Sequence, residues 1–307
     1  MRKLSYIFIL ALSIVSFNVF CANLKIVASN YPAYDLSRAV VGDCGDVLLL
    51  LKPGTDAHMF EPTPKDVSLI SKADLFVYTG GENDVFLDRI LDSLDDKPEI
   101  LSMLKAVNPL EVDHSERTFE SSHKGHHHGE FDEHVWTSYR NDILILKAIA
   151  KKLSEISPEN KEIFEKNANA YIDEFSTLDK DTKNLIENAP RKTIVFADRF
   201  PFLYFAHDYN LDFYAAFSGC SENTEASATT VAKLIDTVKK KKIPAVFSIE
   251  FSNEKLSSVV AEETNTKVLH LNSCHNISPS QYKDKVKMTF IMRKNLEALK
   301  QALYDVN

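Results

Sequence analysis

The chain is poor in cysteine, has a single tryptophan, and carries no excess of positive charge. Each shortage removes a class of protein. Four cysteines in 307 residues are too few for a disulfide scaffold. Cys44, Cys220 and Cys274 are the ones that follow Cys21, an odd number, so at least one is unpaired or used otherwise. A Cys220–Cys274 disulfide is one outcome if the protein is exported. A net charge of −8 supplies no basic face, so no nucleic-acid partner is expected. Gly80-Gly81 lacks the third spaced glycine of a dinucleotide fingerprint. There is no His-Glu-x-x-His helix motif and no Gly-x-Ser-x-Gly elbow, so neither hydrolase chemistry has a home and no enzyme is expected.

What is present begins with an export signal. Met1-Arg-Lys is followed by an apolar run from Leu4 to Phe20 and then Cys21-Ala22-Asn23, the layout of a secretory leader over residues 1–22. Val19 and Cys21 suit a cut ahead of Ala22. Lipid attachment at Cys21 is the lesser alternative, because bulky Phe20 beside it makes Asn18-Val-Phe-Cys21 a poor lipobox. The product is expected in the periplasm or at the cell surface. Removing the leader leaves roughly 285 residues, enough for two domains or one large one. A hydrophobic fraction of 44% with 26% charged residues is that of a folded, soluble chain.

Short apolar runs alternate with amphipathic segments, which predicts an α/β fold with parallel sheets covered by helices. Leu24–Ala28 and Leu75–Tyr78 read as strands, and Asp46–Leu51 as a strand buried on both faces because it is nearly all apolar. Pro64 can open a helix capped by Thr63. Residues 113–131 have no apolar period and predict a disordered, His-rich loop. A helix of about 30 residues is expected over 158–189, with a break near Asp179-Lys-Asp as the competing reading. Strands follow at Thr193–Ala197, Asp212–Phe217, Ala245–Ile249 and Lys267–Leu271, and one last helix over Gln281–Leu303. The expected molecule is two αβ lobes, 23–157 and 190–307, joined by one long rigid helix.

Five of the ten histidines and the tryptophan fall between His123 and Trp136. Imidazole is the commonest metal ligand near neutral pH. Ligands of open parallel sheets bind beyond the carboxyl ends of the strands. The residues at such positions are His58 and His134 in the first lobe. In the second they are Asp198, Arg199, Cys220, Glu250, Cys274 and His275.

The stretches His58-Met-Phe-Glu-Pro-Thr-Pro64 and Asp132-Glu-His134-Val-Trp136 are specific. The chain resembles the metal-binding solute-binding proteins of zinc and manganese ABC uptake systems, with Ala57 and Glu133 standing where that family has proline. The resemblance covers essentially all of the mature chain and implies four metal ligands, two from each lobe. His58 and His134 match the first two, and His275 takes the place of the family's last. The loop Ala197-Asp-Arg-Phe-Pro-Phe lacks the usual third, leaving Asp198, Cys220, Glu250 or Cys274 for the remaining position. Imidazole and thiolate donors favour Zn²⁺ over Mn²⁺, so zinc is the expected cargo, with manganese as the alternative. The implied partner is an ABC permease, with the chain acting as a monomer. A surface adhesin on the same fold is the other reading. His123, His126, His127 and His128 read as a low-affinity antenna, separate from the tight site.

Overall fold

The computed structural model describes residues 23–55, 60–81, 84–112, 118–120, 131–219 and 225–305. The leader, His58, Cys220 and the histidines at 123–128 lie outside the described residues. In the first lobe the chain runs β1 (Leu24–Ala28), α1 (Tyr31–Val41), β2 (Gly45–Leu49), α2 (Pro64–Ile70), β3 (Leu75–Tyr78), α3 (Val85–Ser93) and β4 (Glu99–Ser102). These strands form one parallel sheet in the order β2-β1-β3-β4. Thr63 and Asp66 form a reciprocal capping box at the start of α2, with Pro64 in the first turn as expected. β2 departs from the expectation of burial on both faces. It is the edge strand, with one face uncovered, and Asp46 and Leu48 point to solvent despite the apolar run.

The rest comprises β5 (Thr118–Glu120), α4 (Tyr139–Ile156), α5 (Lys161–Glu187), β6 (Thr193–Phe200), α6 (Leu203–Tyr209), β7 (Asp212–Ser218), α7 (Ala228–Lys241), β8 (Ala245–Ser248), α8 (Lys255–Thr264), β9 (Lys267–His270), α9 (Pro279–Lys283) and α10 (Met288–Tyr304). The second sheet is also parallel, in the order β5-β7-β6-β8-β9. Its first strand corrects the expectation of disorder throughout 113–131. Thr118–Glu120 leaves the first lobe and adds an edge to the second sheet, where Phe119 stacks on Tyr214 at 6.1 Å and lies under the Lys233 ammonium at 5.6 Å. One aromatic ring is too little to produce a periodic signal. A deletion aimed at the histidine cluster must therefore begin after Glu120.

The linking helix α5 is unbroken, and its 27 residues span about 40 Å. The charged run at Asp179 does not interrupt it, because Leu178 and Thr182 are buried while Asp179 faces outward, accepting from the Tyr209 hydroxyl and lying 3.5 Å from Arg140. The last expected helix is two. Lys285 adopts a left-handed φ of 50° between α9 and α10, and Lys287 then precedes a new helix. One continuous core joins residues of both sheets and of α4, α5 and α10, from Ile26 through Phe175 to Leu303.

Where α1, α5 and α10 meet, Asp35 is 1% exposed and accepts from Arg38 at 2.6 Å, from the Tyr171 hydroxyl, and from the Met288 amide at 2.9 Å. Asp142 on α4 is fully buried and neither of its carboxyl oxygens has a hydrogen-bond partner. Burial pushes its carboxyl well above the usual range, and the nearby Asp35 charge adds to the effect. The native state thus holds a proton that the unfolded chain gives up near pH 4. Its contribution to stability is complete below that value and is lost as pH rises toward the native pKa. Asp142→Asn keeps the shape and cannot ionise. Thermal unfolding followed from pH 4 to pH 8 should show the parent losing stability relative to the variant as pH rises, and parallel curves would contradict this account.

Candidate metal centre

The carboxyl ends of the two sheets face one another, and the two described candidate histidines meet there. The Asp132–Trp136 segment approaches from the first lobe. The Asp132 carboxylate accepts from the His134 amide at 2.9 Å and lies 3.1 Å from His134 Nδ1. A carboxylate can only accept, so the proton sits on Nδ1 and Nε2 keeps its lone pair, the arrangement that suits an imidazole ligand. Asp132 is itself held, since its carbonyl accepts from the Tyr204 hydroxyl of α6 at 2.7 Å. His134 is 1% exposed, and Gly219 after β7 makes room for it. A Cβ on Gly219 would lie 3.1 Å from the imidazole Cε1 and 2.9 Å from the Phe200 carbonyl.

His275 comes from the other side, on the loop after β9. Its ring lies 5.4 Å from that of His134, edge-on, and 4.9 Å from the Trp136 ring. The Trp136 indole N–H donates to the Ser273 carbonyl at 2.7 Å, tying the two loops together. Glu250 shapes the His275 loop from beneath. Its carboxylate accepts from the Ser273 amide at 2.7 Å, the Ser273 hydroxyl at 2.5 Å and the His275 amide at 3.1 Å. Burial raises the Glu250 pKa, opposed by those same hydrogen bonds. Cys274 takes a left-handed φ of 61°, so the turn sends neighbouring side chains to different surroundings. Cys274 is fully buried, while His275 lines the cleft.

The same loop holds the segment that leads to His58. Asn276 donates to the carbonyls of Lys52 at 2.9 Å and Thr55 at 2.7 Å, and Gly54 donates to the Ile277 carbonyl at 2.8 Å. The chain is described again from Phe60, which lines the cleft. Both flanks of His58 are thus anchored at the cavity, although His58 itself is among the residues not described.

The remaining candidates do not join the histidines. Asp198 is occupied by the backbone amides of Arg199 at 2.8 Å and Ile249 at 3.3 Å, and it lines a separate cavity with Phe251 and Asn253. Glu250 is committed to the 273–275 loop. Cys274 is a free thiol, which overturns the Cys220–Cys274 disulfide. Burial, reinforced by Glu250, Asp142 and Asp35, pushes that thiol well above its usual pKa and disfavours the thiolate a metal needs. Cys44 is the described cysteine in a disulfide, and its partner lies outside the described residues. His207 and His270 are exposed and away from the cleft. Among the described residues no three His, Cys, Asp or Glu side chains gather closely enough to hold an ion. The cleft cavity measures about 90 Å³ and is lined by Ser29, Asn30, Thr79, Glu133, Trp136 and His275, among others. A larger cavity of about 520 Å³ lies at the surface between α4 and α5, lined by lysines and glutamates and no imidazole.

Sequence reasoning placed His134 and His275 but missed their supports. Asp132 was legible as a carboxylate two residues before a histidine. The roles of Ser273, Asn276 and Gly219 rest on partners far away in sequence and left no local signal.

Two lobes over a rigid helix, with imidazoles converging from both sides, define the class of metal-ion solute-binding proteins. The chain belongs to the family described as zinc-uptake complex component A, periplasmic, whose model matches residues 26–302. It is 35% identical over 312 residues to the zinc-binding lipoprotein AdcA of Streptococcus pneumoniae, covering 98% of this chain and 61% of that one. It is 30% identical to the high-affinity zinc uptake system protein ZnuA of Bacillus subtilis, covering 91% of this chain and 88% of that one. The crystal structure of the Zn(II)-bound ZnuA-like domain of S. pneumoniae AdcA superposes with a TM-score of 0.77 at 33% identity, covering 92% of this chain and 100% of that one. The chain thus spans about three fifths of the length of the streptococcal relative. The family is one of solute-binding components, not enzymes. Among the described residues no helix is long and apolar enough to cross a membrane.

Glu250 should be needed for the His275 loop rather than for chemistry. Glu250→Ala leaves two amides and a hydroxyl without their charged acceptor and should cost about 2–3 kcal/mol of stability. Chemical denaturation measures it, and an unchanged midpoint would contradict the assignment.

Proposed function

We propose that this chain is an extracytoplasmic substrate-binding protein that captures zinc between its lobes and delivers it to an ABC permease for uptake. The observation that carries this reading is the pair of imidazoles, His134 and His275, brought from opposite lobes to 5.4 Å around one cleft. His58, whose flanking segments line and brace that cleft, is the third proposed ligand. Neutral nitrogen donors in a tetrahedral set suit Zn²⁺ better than Mn²⁺, which favours oxygen. If protein donors fill all four positions, none is left for a catalytic water, as a carrier requires. The names of the relatives, each a zinc-binding or zinc-uptake protein, support the same cargo. The leader pattern of residues 1–22 supports export. The lobes are assigned to 23–157 and 190–307 with 158–189 between them, except that Thr118–Glu120 belongs to the second sheet.

Competitive metal titration of the mature protein tests the reading. Zinc should bind at one tight site in preference to manganese. His134→Ala and His275→Ala should each weaken zinc by more than the roughly 10–100-fold that loss of an outer partner costs. Preference for manganese would contradict the cargo, and unchanged zinc binding in both variants would contradict the site. Normal growth of a deletion strain under zinc limitation would favour the adhesin reading instead.

A further inference from the structure

His134 is backed by the end of β7. Gly219 follows that strand, and a Cβ there would lie 3.1 Å from the imidazole Cε1. The pairing of β7 with β6 is interrupted at the same end. It runs without a break from Thr193↔Asp212 to Phe196↔Ala215 and then shifts register, so that Arg199 meets Phe217. Ala197 and Asp198 stand there opposite Ala216 alone, a bulge that disrupts the ladder and leaves β7 less firmly held toward Gly219.

The strand β5 makes good that loss from the other side. Its two pairs are Thr118↔Ala215 and Glu120↔Phe217, and these are the β7 residues that flank the bulge. A three-residue strand has little ladder of its own to hold it. Its grip is Phe119, stacked on Tyr214 at 6.1 Å with the Lys233 ammonium 5.6 Å over its ring, while the Lys241 ammonium lies 4.8 Å over the Tyr214 ring. Both aromatic rings pack on the apolar cluster that contains Ala216 and Phe217.

The chain connects β5 to His134 a second time. Glu111 and Phe131 are bridged antiparallel, and the Asp132 amide donates to the Leu110 carbonyl at 2.9 Å, so the excursion to β7 leaves and returns through one neck. Asp132, at that neck, carries the carboxylate that lies 3.1 Å from His134 Nδ1. The imidazole is thus held on one side by the neck of the excursion, and it is backed on the other by the strand that the excursion clamps.

We infer that Phe119 is a positioning residue for the cleft: it clips β5 to β7 across the bulge, keeps Gly219 behind His134, and so slows the departure of a captured ion. This rests on the cleft being the zinc site. The ring never touches the ion. It acts through the edge of the second sheet, which it fastens to chain that comes from the first lobe.

The test is zinc release from the full mature protein into an excess of chromophoric chelator. Phe119→Ala should release zinc roughly 2–10-fold faster than the parent, the factor that one lost aromatic pair represents. Phe119→Tyr, which keeps a ring, should release at the parent's rate. Hydrogen exchange of the metal-free proteins separates this role from general loosening: amides of 215–219 should exchange faster in Phe119→Ala, and those of α10 should not. If Phe119→Ala fails to fold, Lys233→Gln keeps the ring, removes the cation above it, and should shift both readouts the same way by a smaller factor. Parent-like release from the folded variant would overturn the hold on the ion. Parent-like exchange at 215–219, or equal acceleration throughout the chain, would overturn the clip. Absence of tight zinc in the parent itself would overturn the carrier reading instead, and exchange would still decide the clip.

Discussion

The hydrogen bond from the Trp136 indole to the Ser273 carbonyl holds the molecule's purpose together. It joins a loop of the first lobe to a loop of the second inside the core, where no water competes for either group. His134 stands two residues before one partner and His275 two residues after the other, so the bond sets the distance between the imidazoles. On the proposed reading, an ion entering the cleft would meet a spacing already established. Little of the binding energy is then consumed in ordering the protein.

The surrounding structure keeps that spacing from drifting. The core is continuous across both sheets, and α5 runs unbroken alongside it. Asp35 ties α1, α5 and α10 through a single carboxylate, and Asn276 clasps the loop that leads to His58. A hinge between the lobes would have to break buried charged hydrogen bonds, each worth about 1.5–3 kcal/mol. On the proposed carrier reading, release of the ion would proceed through small lobe shifts and loop motion, not a wide opening.

Much of this was legible in the residues, and the failures share a cause. The alternation of apolar runs marked most strands, and the sequence singled out His134 and His275, which the fold brings to one cleft. The exposed face of β2 was missed because an apolar run does not say whether a strand ends its sheet. The strand Thr118–Glu120 was missed because it is short and its ring, Phe119, finds Tyr214 nearly a hundred residues away. Glu250 looked like a ligand from its place after β8. Three donors from Ser273 and His275 turn it into a brace instead. Cys274 looked like a disulfide partner until a left-handed turn placed it in the core. Local pattern reveals which residues could do chemistry. Which of them are already spoken for depends on contacts distant in sequence.

The most direct test of the central claim is a crystal structure of the mature protein with zinc bound. One ion should sit in the cleft, contacted by His134 through Nε2 and by His275, with Asp132 still on His134 Nδ1 and the two sheets in their present relation. An ion held only by the histidines at 123–128, or a cleft site lacking either His134 or His275, would contradict it.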